Sequence, residues 1–113
     1  MKIVYNNIIP FKGFAAINLF GVLFVRDGII VTPPMLNHER IHTAQMREML
    51  YLFFYLWYII EWLIRIVFTF IRRDKPCIYS AYRNISFERE AYRFEKYDNY
   101  LEKRELFNWL ELL

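Results

Sequence analysis

The chain has 113 residues, of which 57% are hydrophobic and 20% aromatic, and a formal net charge of +3. That length holds one domain, residues 1–113, with a small core. Three glycines and four prolines exclude a disordered or low-complexity chain, and a single cysteine, Cys77, excludes an internal disulfide and a cysteine-rich metal site. Cys77 is expected to be an inert buried thiol, because no spare histidine is present to activate it. So much apolar side chain on so small a body calls for contact with a membrane, a partner chain or both. Charges of both signs are interleaved, and no Lys/Arg stripe or base-reading motif supports nucleic-acid binding. Lys2 precedes an apolar run that Asn6, Asn7 and Pro10 interrupt, without a small-residue cleavage site. This is not a secretory pattern, so the domain is expected to be cytoplasmic, either free or at the inner face of the membrane.

Residues 2–5 and 14–25 read as strands, the second rich in apolar and β-branched types with Gly21 as a bulge. Arg26-Asp27-Gly28 is a turn signal, after which residues 29–32 can return as a short strand, giving a hairpin. Thr32-Pro33-Pro34 is a helix start, with a capping hydroxyl followed by prolines in the first turn. The helix it opens is expected to run to at least Leu50.

Residues 51–71 are almost continuously apolar, broken by Glu61, Arg65 and Thr69. The length suits a membrane span. Against a simple span, Glu61 and Arg65 lie near its centre, at the i,i+4 spacing of an ion pair, and the Tyr and Trp residues lie along its first two-thirds rather than at two ends. Leu52, Leu56, Ile59, Leu63, Ile66 and Phe70 form an apolar stripe, opposed by a wetter one of Tyr51, Tyr55, Tyr58, Trp62 and Arg65. A soluble core helix, an interfacial helix and a span all remain open. A connector over residues 72–76 follows. A last helix begins between Asn84 and Ser86 and runs toward the C-terminus, with Phe87, Ala91, Phe94 and Leu101 at helical spacing. The fold class is α+β: a hairpin, a motif helix, a long apolar helix and a final helix.

Both histidines lie in His38-Glu39-Arg40-Ile41-His42. On a helix, residues four apart share a face, so His38 and His42 can offer two imidazole nitrogens to one Zn²⁺ with Glu39 beside it. Catalytic zinc takes three protein ligands. With no third histidine and no suitable cysteine, the third must be a carboxylate, and the candidates are Glu88 and Glu90 in Ser86-Phe87-Glu88-Arg89-Glu90-Ala91. These lie about 200° apart on a helix, so only one can face the metal.

HExxH followed after a long spacer by Glu-x-Glu-Ala resembles the gluzincin zinc peptidases. The local pattern is similar to the CAAX-prenyl-protease and ImmA/IrrE types, and the length to the minigluzincins. The resemblance covers the two motif helices and the preceding hairpin. It implies a zincin-like domain in which His38, His42 and Glu88 hold Zn²⁺, Glu39 is the catalytic general base and Ala91 lets the two helices approach. Glu88 is preferred over Glu90 because Ala91 then lies on the ligand side. Where that family commonly has Asp or Asn orienting a ligand histidine, this chain has Tyr92, which carries no charge at neutral pH. Tyr79, Tyr82, Arg83 and Tyr92 are the candidate donors to an oxyanion.

The expected function is zinc-dependent hydrolysis of a peptide or protein substrate, held along the hairpin edge. The alternative is a non-catalytic membrane-surface or partner-binding helical protein with a structural metal site, its aromatic-rich helix meeting a bilayer or a second copy. Glu88 must return to the histidines, so a single membrane crossing between the two motifs is incompatible with a three-ligand site.

Overall fold

A computed structural model describes residues 1–10, 12–71 and 78–113. The connector over residues 72–76, Cys77 and the side chain of Tyr79 lie outside the described residues. The fold is α+β, with a three-stranded sheet followed by helices. Strands β1 (Lys2–Asn6), β2 (Ala16–Leu19) and β3 (Val22–Arg26) are ordered β1-β3-β2. β3 pairs parallel to β1 and antiparallel to β2, with Leu19 opposite Val22.

The hairpin is therefore present, but its turn is Phe20-Gly21 and not Arg26-Asp27-Gly28. The expected strand over residues 14–25 folds back on itself in the middle. Both turn residues have positive φ, 53° and 87°, which is the two-residue turn whose twist matches paired strands. Phenylalanine is a poor residue for that conformation. Tertiary contacts hold it: the Phe20 N–H donates to the Tyr55 hydroxyl at 3.0 Å, and its ring packs on Tyr51 and Tyr55. Arg26-Asp27-Gly28 does turn the chain, with Ile29 N–H donating to Arg26 C=O. Residues 29–32 do not pair as a strand; they lead into the motif helix.

Helix α1 (Pro33–Glu48) starts as its sequence requires, with Thr32 Oγ1 accepting from the Met35 N–H. It ends before Leu50 because Leu50 and Tyr51 both take left-handed backbone, φ 54° and 59°, and Tyr51 N–H closes onto Met46 C=O at 2.7 Å. This joint separates α1 from the apolar helix α2 (Leu52–Ile71). Helices α3 (Ile78–Arg83) and α4 (Ser86–Phe94) then bring the chain back to α1. The expected final helix stops at Phe94, and Leu101 belongs to a separate helix, α5 (Tyr100–Lys103). The stop is made from outside: the Asn37 amide of α1 donates to the last carbonyl of α4, Phe94, and to those of Glu95 and Tyr97 just beyond it, which holds the chain in its turn away from the helix. A 3₁₀ helix (Asn108–Leu112) closes the chain.

The core that positions the site comprises Met46, Phe54, Ile85, Phe87 and Trp109. The wetter stripe contributes to it: Tyr51, Tyr55, Tyr58 and Trp62 pack inward, and Leu52, Leu56, Ile59 and Leu63 of the apolar stripe face outward. Glu61 is buried, and its carboxylate accepts from the Ser86 N–H and hydroxyl, from the Trp57 indole and, at 3.5 Å, from the Arg65 guanidinium. The expected i,i+4 pair is thus one part of a larger polar knot.

Candidate metal centre

The four-residue spacing on α1 stacks His38 and His42 on one face, and α4 presents Glu88 to them. The three side chains are buried and offer ligand atoms that all lie within 4.8 Å of one another. His42 Nε2 is 2.9 Å from Glu88 Oε1 and 3.1 Å from His38 Nε2, and His38 Nε2 is 3.3 Å from Glu88 Oε1. Donors about 2.0–2.1 Å from a tetrahedral zinc ion sit about 3.3 Å apart, so this cluster is near the size of a filled site. Glu88 Oε2 is buried and has no hydrogen-bond partner among the described residues. A buried carboxylate oxygen without a donor is costly unless a cation answers it. Two imidazoles and a carboxylate form a donor set that zinc accepts.

Outer contacts fix the ligands. The Nδ1–H of His42 donates to Gln45 Oε1 at 2.8 Å, and Gln45 Nε2 donates to Phe87 C=O and Glu90 Oε1. Because both amide hydrogens are committed there, the amide oxygen faces the ring, and His42 Nε2 is the nitrogen left for a metal. His38 Nδ1 lies 3.7 Å from Glu95 Oε2. A carboxylate thus approaches the first histidine from Glu95, three residues beyond the position where Tyr92 stands. Tyr92 instead packs its ring against His38, with centroids 4.6 Å apart. Sequence reading passed over both Gln45 and Glu95. The signal was spacing: Gln45 is three residues beyond His42 on the same face of α1, and Glu95, at the end of α4, is seven beyond Glu88.

Of the other sequence candidates, Tyr82 and Arg83 lie on α3 and Glu90 on α4. The Tyr82 hydroxyl donates to Glu88 Oε1 at 3.0 Å. Arg83 lies over the Tyr92 ring, 4.5 Å from its centre. Glu90 points away from the histidines into an ion-pair network. Its carboxylate accepts from Arg104, Tyr100 and Gln45, and Arg104 also makes two bonds to Glu48 of α1 at 2.7 and 3.0 Å. Glu88 and Glu90 therefore do different work on opposite sides of α4, as the helical period requires.

Electrostatics follow from burial and charge. Burial would push the His42 proton off, but the adjacent Glu88 carboxylate, helped by Glu39, outweighs it and raises the pKa to about 9. Burial likewise favours neutral Glu88, yet His42 and His38 hold its carboxyl far below the usual carboxylate range. Glu39 is half-buried beside the ligands. Burial raises its pKa above 4.5, and the Glu88 charge adds to this, against the pull of the two histidines. The backbone of Glu39 is anchored to the sheet, where Asn18 Nδ2 of β2 donates to the Glu39 carbonyl at 3.0 Å. No family model, curated protein or solved structure matches this chain, so the centre is read from its own geometry.

Proposed function

We propose that the protein is a zinc-dependent hydrolase of peptide bonds, with His38, His42 and Glu88 as metal ligands. The observation that carries this reading is the buried convergence of two Nε2 atoms and one carboxylate oxygen, with a second carboxyl, Glu39, beside them. Bound zinc supplies Lewis acidity and a water whose pKa is brought toward neutrality. Glu39 does the proton work. Its carboxylate has raised basicity from burial, so it accepts the proton of the attacking water and passes it to the leaving amine nitrogen. Gln45 holds the His42 ring in orientation, and the Glu95 carboxylate stands near His38 Nδ1. Asn18 ties β2, an edge strand, to α1 at Glu39, so an extended peptide added to that edge would run beside the base. The substrate class is a peptide or protein at the cytoplasmic side.

Metal content and turnover test this together. Wild type should bind about one zinc per chain. Glu39→Gln should keep the zinc while lowering kcat/KM on a peptide library by about 10²–10⁴-fold. Absence of metal after zinc addition, or full hydrolysis by Glu39→Gln, overturns the reading. A second reading, a non-catalytic surface-binding protein with a structural zinc, draws support from the exposed apolar face of α2. It predicts zinc binding without turnover in wild type.

A further inference from the structure

α2 places its uncharged half outward. Among its described residues, eleven are exposed large hydrophobics. At 100° per residue they fill an arc of about 180° along a helix of about 30 Å. The run passes from Leu52 and Phe53 through Leu56, Ile60 and Leu63 to Phe68 without a charged side chain. Only 11% of the window Leu52–Thr69 is buried within the molecule. The surface continues past the helix into a groove of about 320 Å³ where Leu50 and Phe107 meet Phe53 and Trp57.

Two features say what covers this face. First, its width: a helix packed on a single partner element buries a stripe of about 100°, so a second copy of α2 would leave nearly half of the arc in water. A bilayer covers the whole arc. Second, the opposite face of α2 is committed to the polar body along most of its length. Tyr55 bonds to the Phe20 N–H and the Asn18 carbonyl of the hairpin, Phe54 packs on Phe87 of α4, and Glu61 holds Ser86. Standing the helix upright in a membrane would carry the hairpin, the start of α4 and the 3₁₀ helix into hydrocarbon, where their polar groups are expensive.

We infer that the protein is monotopic: α2 lies lengthwise in the interface of a lipid bilayer, with its outer arc in the acyl region and the rest of the domain above it. The metal centre then sits about one helix diameter from the lipid, because His42 packs on Phe54 of the inner face of α2. Its substrates would be polypeptides held at that surface. The docking itself does not rest on the hydrolytic reading and is measured with or without zinc.

Flotation of the full chain with phosphatidylcholine–phosphatidylglycerol vesicles tests it. Wild type should rise with the vesicles. The double substitution Ile60→Lys, Ile64→Lys should lower the bound fraction at least tenfold while keeping its helical circular dichroism and its zinc content. Wild type that stays at the bottom of the gradient overturns the proposal, and a dimer by light scattering that the double substitution splits would assign the face to a second copy. Orientation is read separately. Spin labels at Phe53→Cys and Val67→Cys in a Cys77→Ser background should report equal, shallow depths, whereas depths differing by about 20 Å would mean a crossing and overturn the lengthwise placement.

Discussion

Protonation of His42 sets how the metal-free centre responds to pH. Its folded pKa of about 9 lies above the ordinary 6.5, so its stabilisation is complete below pH 6.5 and is lost as pH rises through 9. Glu88 is shifted the other way; its stabilisation is present above 4.5 and lost as pH falls through its depressed value. Metal-free protein should therefore melt highest between about pH 5 and 6.5 and lose Tm steadily toward pH 9. The loss should be absent in His42→Gln. The same proton must leave when zinc binds, so the binding enthalpy at pH 7.5 should vary with the ionisation enthalpy of the buffer. At this scale the sequence was most readable where chemistry resides. His38 and His42 announce by residue type and spacing the cluster that Glu88 completes. It was least readable where backbone strain resides, because Phe20, Leu50 and Tyr51 adopt left-handed conformations that their types disfavour and that only distant contacts enforce. Leu50 is 71% exposed and gives little packing in return, so Leu50→Asn should raise stability by up to about 1 kcal/mol, measured by chemical denaturation.

Among the elements, α4 shows why two glutamates two residues apart are not alternatives. Glu88 meets the histidines, and Glu90 joins Arg104 and Glu48, tying α4, the C-terminal segment and α1 together. Both are buried, but the losses differ. Glu90→Ala leaves the buried Arg104 guanidinium with Glu48 alone and removes the acceptor of the Tyr100 hydroxyl, and should cost about 1–3 kcal/mol with or without zinc. Glu88→Ala should instead abolish zinc binding while leaving the Arg104 network intact; a zinc titration alongside a denaturation curve separates the two. The start of α1 at Thr32 and of α4 near Ser86 were legible from local signals. The end of α4 was not, since Asn37 supplies its cap from 57 to 60 residues away. The joint after Glu48 carries no glycine or proline, and nothing local marks it.

For the whole molecule, the apolar stretch over residues 51–71 was legible as two-faced before its partners were known. Which face turned inward was not, because hydrophobicity alone would bury the outer arc. The inward choice is made by hydrogen bonds: the Tyr55 hydroxyl finds the Asn18 carbonyl of the hairpin, and the Glu61 carboxylate finds Ser86 at the start of α4. Burying them satisfies polar groups that the outer arc does not possess. The sheet order was also beyond sequence reading, as a parallel pair between β1 and β3 leaves no turn to signal it.

The grip of Glu61 on Ser86 has a mechanical consequence. Helix α4 has no side-chain cap of its own, so its first turn is clamped by a carboxylate borrowed from α2. That clamp sets the rotational phase of α4, and a slip of one residue would turn Arg89 toward the histidines in place of Glu88. The most hydrophobic element of the chain thus acts as the indexing pin of its most polar one, and a force applied along α2 is delivered to the carboxylate that completes the triad.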